Sequence, residues 1–266
     1  MGASLLLVGC GRMGAAMLEG WLASGVAGRV VVVEPQGAGV ADPRVTRCAG
    51  PAQVPPEFRP DAVVFAVKPQ VMDTVVPAYQ PYAESGAVML SIAAGRTIGY
   101  FEARLGPEAA VVRAMPNTPA AIGRGITVAC ANGRVRPDRR ALCESLLAAV
   151  GEVGWVEDEV LIDAVTGVSG SGPAYVFLLC EALAEAGREA GLPGDLAMRL
   201  ARATVSGAGE LLHRSPESAE QLRRNVTSPN GTTQAALDVL MAPDGLQALM
   251  TRAVAAATRR SRELAS

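Results

Sequence analysis

An apolar run, Leu5-Leu6-Leu7-Val8, leads directly into the segment Gly9-Cys10-Gly11-Arg12-Met13-Gly14. A strand, a Gly-x-Gly-x-x-Gly turn and a helix, in that order, present backbone N–H groups to a pyrophosphate. The first glycine permits the tight turn, the second lets the backbone approach the phosphates, and the third lets the helix pack on the strand. An amphipathic stretch ending at Gly25 supplies the helix. This segment predicts a dinucleotide-binding α/β unit; the alternative is a glycine turn without a ligand.

An acidic residue stands where this motif places one. The run Val30-Val31-Val32-Val33 predicts a second buried strand, and Glu34 follows it. It lies about 20 positions after Gly14, where a carboxylate binds the adenosine ribose hydroxyls and repels a 2′-phosphate. The sequence thus predicts that NADH is used at least as well as NADPH. The alternative is that Glu34 is only the solvated end of a strand.

The chain has two halves of different character, and its 266 residues suffice for two moderate domains. Up to about Val156, short apolar runs alternate with helices and turns. The runs 61–67, 87–92 and 110–114 are nearly continuous, as in parallel strands covered on both faces by helices. We therefore expect a doubly wound α/β domain over residues 1–156 and an all-α domain over residues 157–266.

Loops of small or polar residues follow these three runs. They are Lys68-Pro69-Gln70, Ala93-Ala94-Gly95 and the segment 115–119. In an open doubly wound sheet the ligand lies beyond the carboxyl ends of the strands, so we expect these loops to border the cofactor. Lys68 is expected near a phosphate or ribose; a solvated loop lysine is the alternative.

The second half predicts four helices, which run from Pro173 to Ala190, from a cap at Asp195 to Leu212, from Thr232 to Met241, and from Gly245 to about Leu264. These helices are rich in alanine and leucine and carry more apolar surface than a small helical domain hides. The pattern predicts a dimerisation domain. A monomer that packs these helices against the sheet is the alternative.

Two loops of this half combine glycines with hydroxyl side chains. One is Thr166–Tyr175, and the other is Val226–Thr233, which immediately precedes a predicted helix. Free backbone N–H groups of Gly231, Thr232 and Thr233 would face an anion there, and the helix dipole would favour it. A small carboxylate is the expected guest.

Charge and composition argue against several classes of function. The net charge is −2, which gives no electrostatic footprint for nucleic acid or an anionic membrane. No run approaches the ~18 apolar residues of a membrane span, and no basic segment precedes the first apolar run, so a cytoplasmic protein is expected. The five cysteines form no C-x-x-C pair, and the single histidine, His213, follows a helical run. We therefore expect neither a metal site nor a histidine triad.

Taken together, these motifs resemble the pyrroline-5-carboxylate reductase family from about Leu5 to Leu264. The resemblance rests on the Gly-x-Gly-x-Met-Gly turn, Ala66–Pro69, Met115–Pro119, Ser169–Tyr175 and Thr227–Thr233. It implies the last step of proline synthesis, the reduction of 1-pyrroline-5-carboxylate to L-proline by NADPH or NADH. It also implies a Rossmann domain and a helical domain that interlocks with a second copy, with the active site at the dimer interface. Larger rings of dimers occur in the family.

The resemblance assigns roles to individual residues. Thr166 would be the catalytic residue, reaching the ring nitrogen either to orient the iminium or to relay its proton. Asn225 would contact the nicotinamide end. The substrate-binding residues would be Glu159, Ser171, Ser228, Gly231, Thr232 and Thr233. The remaining cofactor-binding residues would be Val8, Gly9, Cys10, Gly11, Arg12, Met13, Gly14, Glu34, Gln53, Ala66, Val67, Lys68, Pro69, Ala93 and Ala94. One departure is Asn230, where the family usually has glycine; asparagine tolerates left-handed backbone geometry, so we expect the loop to keep its shape.

Three other functions share part of this pattern. A reductase of another carboxylated cyclic imine would use the same loops. A β-hydroxyacid dehydrogenase-like protein shares the glycine turn. Enzymes of that class resemble one another in using a lysine on the interdomain helix, whereas the one lysine of this chain, Lys68, lies in the first half. A non-catalytic dinucleotide sensor would keep the glycine turn and have no use for the second-half loops.

Overall fold

A computed structural model of the chain describes residues 2–36 and 41–265. Eight strands lie in these residues and form one sheet. They are β1 (Ala3–Val8), β2 (Ala27–Val33), β3 (Val45–Cys48), β4 (Ala62–Phe65), β5 (Val88–Ser91), β6 (Val111–Met115), β7 (Gly125–Ala131) and β8 (Gly151–Trp155).

The strands lie in the order β3-β2-β1-β4-β5-β6-β7-β8. All neighbouring pairs from β3 to β6 are parallel. The pair β6–β7 is antiparallel, and β8 is parallel to β7. The order 3-2-1-4-5-6 is that of the doubly wound dinucleotide-binding fold, in which the strand order reverses beside β1. The sequence prediction of a parallel α/β sheet is confirmed, and β3, β7 and β8 are additions to it.

The apolar runs are continuous because both faces of the sheet are covered. Side chains alternate between the faces of a strand, so Leu6 and Val8 enter one core while Leu5 and Leu7 enter the other. All four are at most 2% exposed. Trp21 of the first helix packs in the second core, and its indole N–H donates to the Leu146 carbonyl at 2.8 Å. This bond joins α1 to α5 within the second core.

Some helices and short turns cover the sheet, and other helices form a second compact unit. The helices are α1 (Arg12–Ser24), α2 (Met72–Val75), α3 (Gln80–Glu84), α4 (Ile98–Leu105), α5 (Pro137–Ala148), α6 (Leu161–Val165), α7 (Gly172–Glu189), α8 (Gly194–Arg214), α9 (Ala219–Asn225), α10 (Thr232–Leu240) and α11 (Leu246–Ala265). One unit comprises Met1–Gly170 with Ala257–Ser266, and the other comprises Ser171–Ala256. These units are divided by compactness; the functional boundary at residues 156–157 stays a prediction.

The four predicted helices of the second half are present, and α6 and α9 lie there in addition. Pro193 caps α8, so Asp195 lies inside the first turn rather than at the cap. The helix α9 was not predicted; the Ser218 side chain accepts from the Gln221 N–H at its start. Among the residues that the structure describes, no helix combines the length and apolar character needed to cross a bilayer.

Candidate active site

The three glycines of the loop after β1 meet different surroundings. Gly9 has φ +90°, and a Cβ there would lie 2.6 Å from Cγ1 of Val67. A Cβ on Gly14 would lie 2.6 Å from the Gly9 carbonyl oxygen. A Cβ on Gly11 would meet no heavy atom of the described residues within 4 Å. Protein atoms therefore require the first and third glycines, whereas the space at the second is open, as a pyrophosphate would need.

The helix α1 begins at this open space. Gly11 is its N-cap, and the first helical hydrogen bond joins the Ala15 N–H to the Gly11 carbonyl at 2.8 Å. By helix geometry the N–H groups of Arg12, Met13 and Gly14 have no acceptor within the helix. The first turn itself carries no acidic side chain that would offset its partial positive charge. The residues present fit the phosphates of a dinucleotide.

The Glu34 carboxylate lies against the glycine loop. Its Oε2 accepts from the Cys10 N–H at 2.9 Å, and its Oε1 accepts from the Gln36 N–H at 3.1 Å. Glu34 thus lies beside the glycine loop, where it would contact the ribose of a bound dinucleotide. Burial, and then the negative charge of Glu34, raise the pKa of the Cys10 thiol. Cys10 is therefore a protonated loop residue and not a reactive thiolate.

The other predicted cofactor residues of the first unit follow the carboxyl ends of its strands. Ala66 continues β4, and its N–H donates to the carbonyl of Val8, the last residue of β1, at 2.8 Å. Lys68 is exposed and precedes the 3-10 turn that starts at Pro69. The remaining residues follow β3 and β5 as Gln53, Ala93 and Ala94. The structure therefore lines them along one edge of the sheet, but their contacts with a cofactor stay predictions.

Thr166 opens a π-helical turn, Thr166–Gly170, directly after α6. Such turns within helical segments occur frequently at functional sites. The Thr166 hydroxyl donates to the Ile162 carbonyl at 2.8 Å, and the Thr166 N–H is bonded to the carbonyls of Ile162 and Asp163. With its proton used in this way, the Thr166 oxygen is left as a hydrogen-bond acceptor. This favours orientation of a substrate N–H over delivery of a proton.

The π-helical turn packs on the end of β6. The Asn117 amide donates to the Ser169 hydroxyl at 3.2 Å. A Cβ on Gly170 would lie 2.5 Å from Cε of Met115, so the Met115 side chain packs closely on this turn. These contacts join the Met115–Pro119 segment to the Thr166 turn within the first unit. Two of the motifs that resemble the reductase family are thus in contact.

Glu159 is already engaged within the protein. Its Oε1 accepts from Nη1 of Arg113 at 2.8 Å and from the Ile98 N–H at 2.8 Å. A contact of Glu159 with substrate stays a prediction. Arg113 and Asp163, which lie beside it, were not singled out from the sequence. The signal for Arg113 was a single arginine inside the apolar run Val111-Val112-Arg113-Ala114.

In the second unit, the loop before α10 has the expected tight shape. Asn230 has φ +56°, and it is the only non-glycine residue with positive φ in 2–36 and 41–265. The expectation that asparagine supports this backbone is confirmed. A Cβ on Gly231 would collide with Oγ of Ser228, so the glycine is required by close approach. The two residues shape the entry to α10.

One part of the predicted anion site is wrong. The Gly231 N–H donates to the Ser228 carbonyl at 3.1 Å, because the turn closes on itself, so this group is not free. The first helical bond of α10 runs from the Ala235 N–H to the Gly231 carbonyl at 3.2 Å. Helix geometry leaves the N–H groups of Thr232 and Thr233 without an acceptor inside the helix. These two groups remain as donors for a carboxylate.

Asn225 and Ser171 also lie in the second unit. Asn225 ends α9, and its amide donates to Oε2 of Glu217 at 3.2 Å and accepts from the Gln221 amide at 2.7 Å. Ser171 is the N-cap of α7, and its carbonyl accepts from the Ala174 N–H at 3.0 Å. The contact of Glu217 with Asn225 could not be predicted, since nothing in the sequence around Glu217 distinguishes it from a solvated acid. The roles of Asn225 and Ser171 toward ligands stay predictions.

The two halves of the chain each match a known protein family. Residues 159–264 match the family described as pyrroline-5-carboxylate reductase dimerisation. Residues 4–95 match the family described as NADP oxidoreductase coenzyme F420-dependent. The chain is 46% identical over 205 residues to a pyrroline-5-carboxylate reductase of Pseudomonas aeruginosa, covering 77% of this chain and 75% of that protein. A pea (Pisum sativum) protein of the same name is 41% identical over 204 residues, 77% of this chain and 74% of its own length.

Solved structures agree with these matches over the whole chain. A pyrroline-5-carboxylate reductase from Coxiella burnetii superposes with a TM-score of 0.90 at 34% identity, covering 100% of both chains. A Plasmodium falciparum pyrroline carboxylate reductase with NADP bound gives 0.82 at 29% identity, covering 99% of this chain and 98% of that one. The N-terminal Rossmann-type sheet and the C-terminal helical dimerisation domain are thus established, and the chain belongs to the pyrroline-5-carboxylate reductase family.

Proposed function

We propose that the chain reduces 1-pyrroline-5-carboxylate to L-proline with a reduced nicotinamide dinucleotide, the last step of proline biosynthesis. The observation that carries this proposal is the family match over residues 159–264, because it includes both the Thr166 turn and the loop before α10. The open space at Gly11 and the N–H groups at the start of α1, whose first turn carries no acidic side chain, support a dinucleotide cofactor.

The chemistry needs few ionisable side chains. When bound, the reduced nicotinamide supplies a hydride to the imine carbon. A cyclic imine can already be protonated in water, so a strong enzymic acid is not required. The Thr166 oxygen accepts a hydrogen bond from the iminium N–H and orients the ring. The N–H groups of Thr232 and Thr233, with the side-chain hydroxyls of Ser228 and Thr233, bind the carboxylate. Holding the ring at near-attack distance supplies about 7–11 kcal/mol.

The test follows loss of reduced-nicotinamide absorbance on addition of pyrroline-5-carboxylate, with proline measured as product. We expect oxidation and proline formation in equal amounts. A second arm supplies the six-membered cyclic imine carboxylate, and faster turnover of that compound would indicate the rival reductase. Cofactor binding without oxidation by either imine would indicate the non-catalytic sensor.

Thr233 provides a prediction about substrate affinity. Thr233→Ala should raise KM for pyrroline-5-carboxylate about tenfold and change kcat much less, because carboxylate binding is the same in the ground state and the transition state. Steady-state kinetics at saturating cofactor measure both constants. Thr233→Ser retains the hydroxyl and serves as the matched control. An unchanged KM in Thr233→Ala would remove this residue from the carboxylate site.

Glu34 provides a prediction about cofactor choice. Its carboxylate would oppose a 2′-phosphate, so we propose that NADH is accepted at least as well as NADPH. Glu34→Gln should move the ratio of kcat/KM values toward NADPH by about tenfold, since one charge near a phosphate is worth about 1.4 kcal/mol at effective dielectric constants near a surface. Glu19→Gln, on the exposed side of α1, is the control for removing a negative charge. A wild-type preference for NADPH would contradict the proposal.

The second unit exposes large apolar side chains that we propose are covered by a second copy of the chain. Exposure is 62% for Phe177, 63% for Leu178, 66% for Leu211 and 72% for Val239. Surfaces of this kind on monomers are small, and the matched family is described by dimerisation. A closed homodimer, alone or within a larger ring, fits this pattern.

Replacing Phe177 tests the interface. Phe177→Glu should convert the assembly to monomers, because a charge would be buried in an apolar contact. Light scattering coupled to gel filtration measures the mass, and the same fractions are assayed for activity. Phe177→Leu retains an apolar side chain and should keep the wild-type mass. A monomeric wild-type protein at micromolar concentration would contradict the dimer.

A further inference from the structure

The last turns of α11 contact two segments of the first unit. Ser261 is 6% exposed, and its hydroxyl donates to Oδ1 of Asp163 at 2.7 Å. Leu264, three residues later, lies on the loop after β5. Gly95 in that loop has φ +70°, and a Cβ there would lie 2.9 Å from the Leu264 carbonyl oxygen. The end of α11 therefore lies against the predicted cofactor loop and against α6.

Asp163 connects this helix end to Thr166. Its side chain is held by Ser261, and its backbone carbonyl accepts from the Thr166 N–H. The neighbouring Ile162 carbonyl accepts from the Thr166 hydroxyl. A shift of Asp163 would thus move both groups that orient the Thr166 oxygen.

A buried arginine also lies near the Asp163 carboxylate. Arg113 is 3% exposed; its Nη1 lies 2.8 Å from Oε1 of Glu159, and its Nη2 lies 3.9 Å from Oδ1 of Asp163. We call Arg113, Glu159, Asp163 and Ser261 the Arg113 cluster. A further cation, Nε of Arg262, lies 3.9 Å from Oδ2 of Asp163. A buried guanidinium that loses its carboxylate partners is strongly destabilising. Because the guanidinium of Arg113 is planar and rigid, it favours one position of these carboxylates and therefore one arrangement of α6.

We propose that Ser261 is a positioning residue for the reduction: through Asp163 it holds the Thr166 oxygen at the place where the substrate nitrogen is bound. The inference rests on the proposed function, because Thr166 acts there on the iminium. The contact of Leu264 with Gly95 gives the same helix end a second role. It holds the predicted cofactor loop and the Thr166 turn at a constant separation within one unit.

The first experiment replaces Ser261 by alanine in the full-length protein. We expect kcat to fall about tenfold, since a displacement of a fraction of an ångström in a reacting group costs rate and not affinity. KM for pyrroline-5-carboxylate and Kd for NADPH should stay within about twofold. Amide hydrogen exchange over residues 166–170 should become faster. Ser261→Thr keeps the hydroxyl and should restore both kcat and protection.

A matched control loses a carboxylate contact far from α6. The Asp61 carboxylate accepts from Nη1 of Arg139 at 3.0 Å and from the Ser4 N–H at 3.0 Å, just before β4 begins. Asp61→Asn should lower Tm while kcat and exchange over residues 166–170 remain unchanged. If Ser261→Ala behaves in the same way, its role is only structural and the proposal is overturned.

A double-mutant cycle tests whether Ser261 acts through Thr166. In the Thr166→Val background, Ser261→Ala should change kcat by less than about twofold. If Thr166→Val lowers kcat and Ser261→Ala still adds its full loss, the positioning role is wrong and the proposed function stands. If Thr166→Val keeps full turnover, the role of Thr166 is wrong and the positioning role falls with it; proline formation by the wild type decides the reductase activity separately.

Discussion

Gly11→Ala is expected to leave the fold intact and to weaken dinucleotide binding by about 100-fold or more, since a methyl group would occupy space that the phosphates need. Gly11 has φ −70°, which alanine adopts without strain, and the added Cβ meets no described protein atom within 4 Å. Removal of a flexible glycine also restricts the unfolded chain, so Tm should be unchanged or slightly higher. Calorimetric titration with NADPH and a thermal melt measure the two quantities.

Two comparison variants make this result specific. Gly9→Ala should lower Tm markedly, because Gly9 has φ +90° and its Cβ would collide with Val67. Gly133→Ala adds a Cβ in a turn after β7 with nothing within 4 Å, and it should leave both Tm and cofactor affinity unchanged. If Gly11→Ala binds NADPH as tightly as the wild type, the pyrophosphate does not lie at this loop.

Thr166→Val is expected to lower kcat about 100-fold, because it removes the acceptor for the iminium N–H while keeping the shape of the side chain. Hydrogen bonds to charged groups contribute about 1.5–3 kcal/mol, which corresponds to roughly 10- to 150-fold. The loss should appear in kcat and in kcat/KM, since the interaction is needed most when the ring is held for hydride transfer. Steady-state kinetics and single-turnover absorbance measurements provide both values.

Thr166→Ser is the matched control for this prediction. It retains the oxygen and should keep kcat within about tenfold of the wild type, with any loss arising from the freer side chain. If Thr166→Val turns over as fast as Thr166→Ser, the hydroxyl has no part in the reaction. The carboxylate loop and the cofactor would then carry the positioning by themselves.

Local patterns were sufficient for the centre of the sheet. Most positions of β1, β2, β4, β5 and β6 are buried on both faces, and this burial makes their sequences mostly apolar. The edge strand β3 has Thr46 and Arg47 exposed, so its sequence lacks that signal. Strands β7 and β8 contain glycines and partly exposed positions, and they are defined by pairing with one another. Pairing across distant parts of a chain leaves no short-range pattern.

The same distinction applies to the site. The glycine turn, Glu34 and the loop before α10 could be predicted because their residues are close in sequence and their backbone requirements are specific. The Arg113 cluster could not, since Arg113 and Glu159 are 46 residues apart, and Asp163 and Ser261 are 98 apart. The Gly231 N–H was wrongly expected to be free because the sequence does not reveal how a turn closes on its own carbonyl.

The positive φ of Asn230 limits how this position can evolve. Glycine and asparagine adopt such a backbone with little strain, aspartate and histidine do so at some cost, and β-branched residues are excluded. Aspartate would add a negative charge beside the donors of Thr232 and Thr233, where a substrate carboxylate must approach. Position 230 therefore accepts glycine or asparagine with little strain, and asparagine occupies it in this chain.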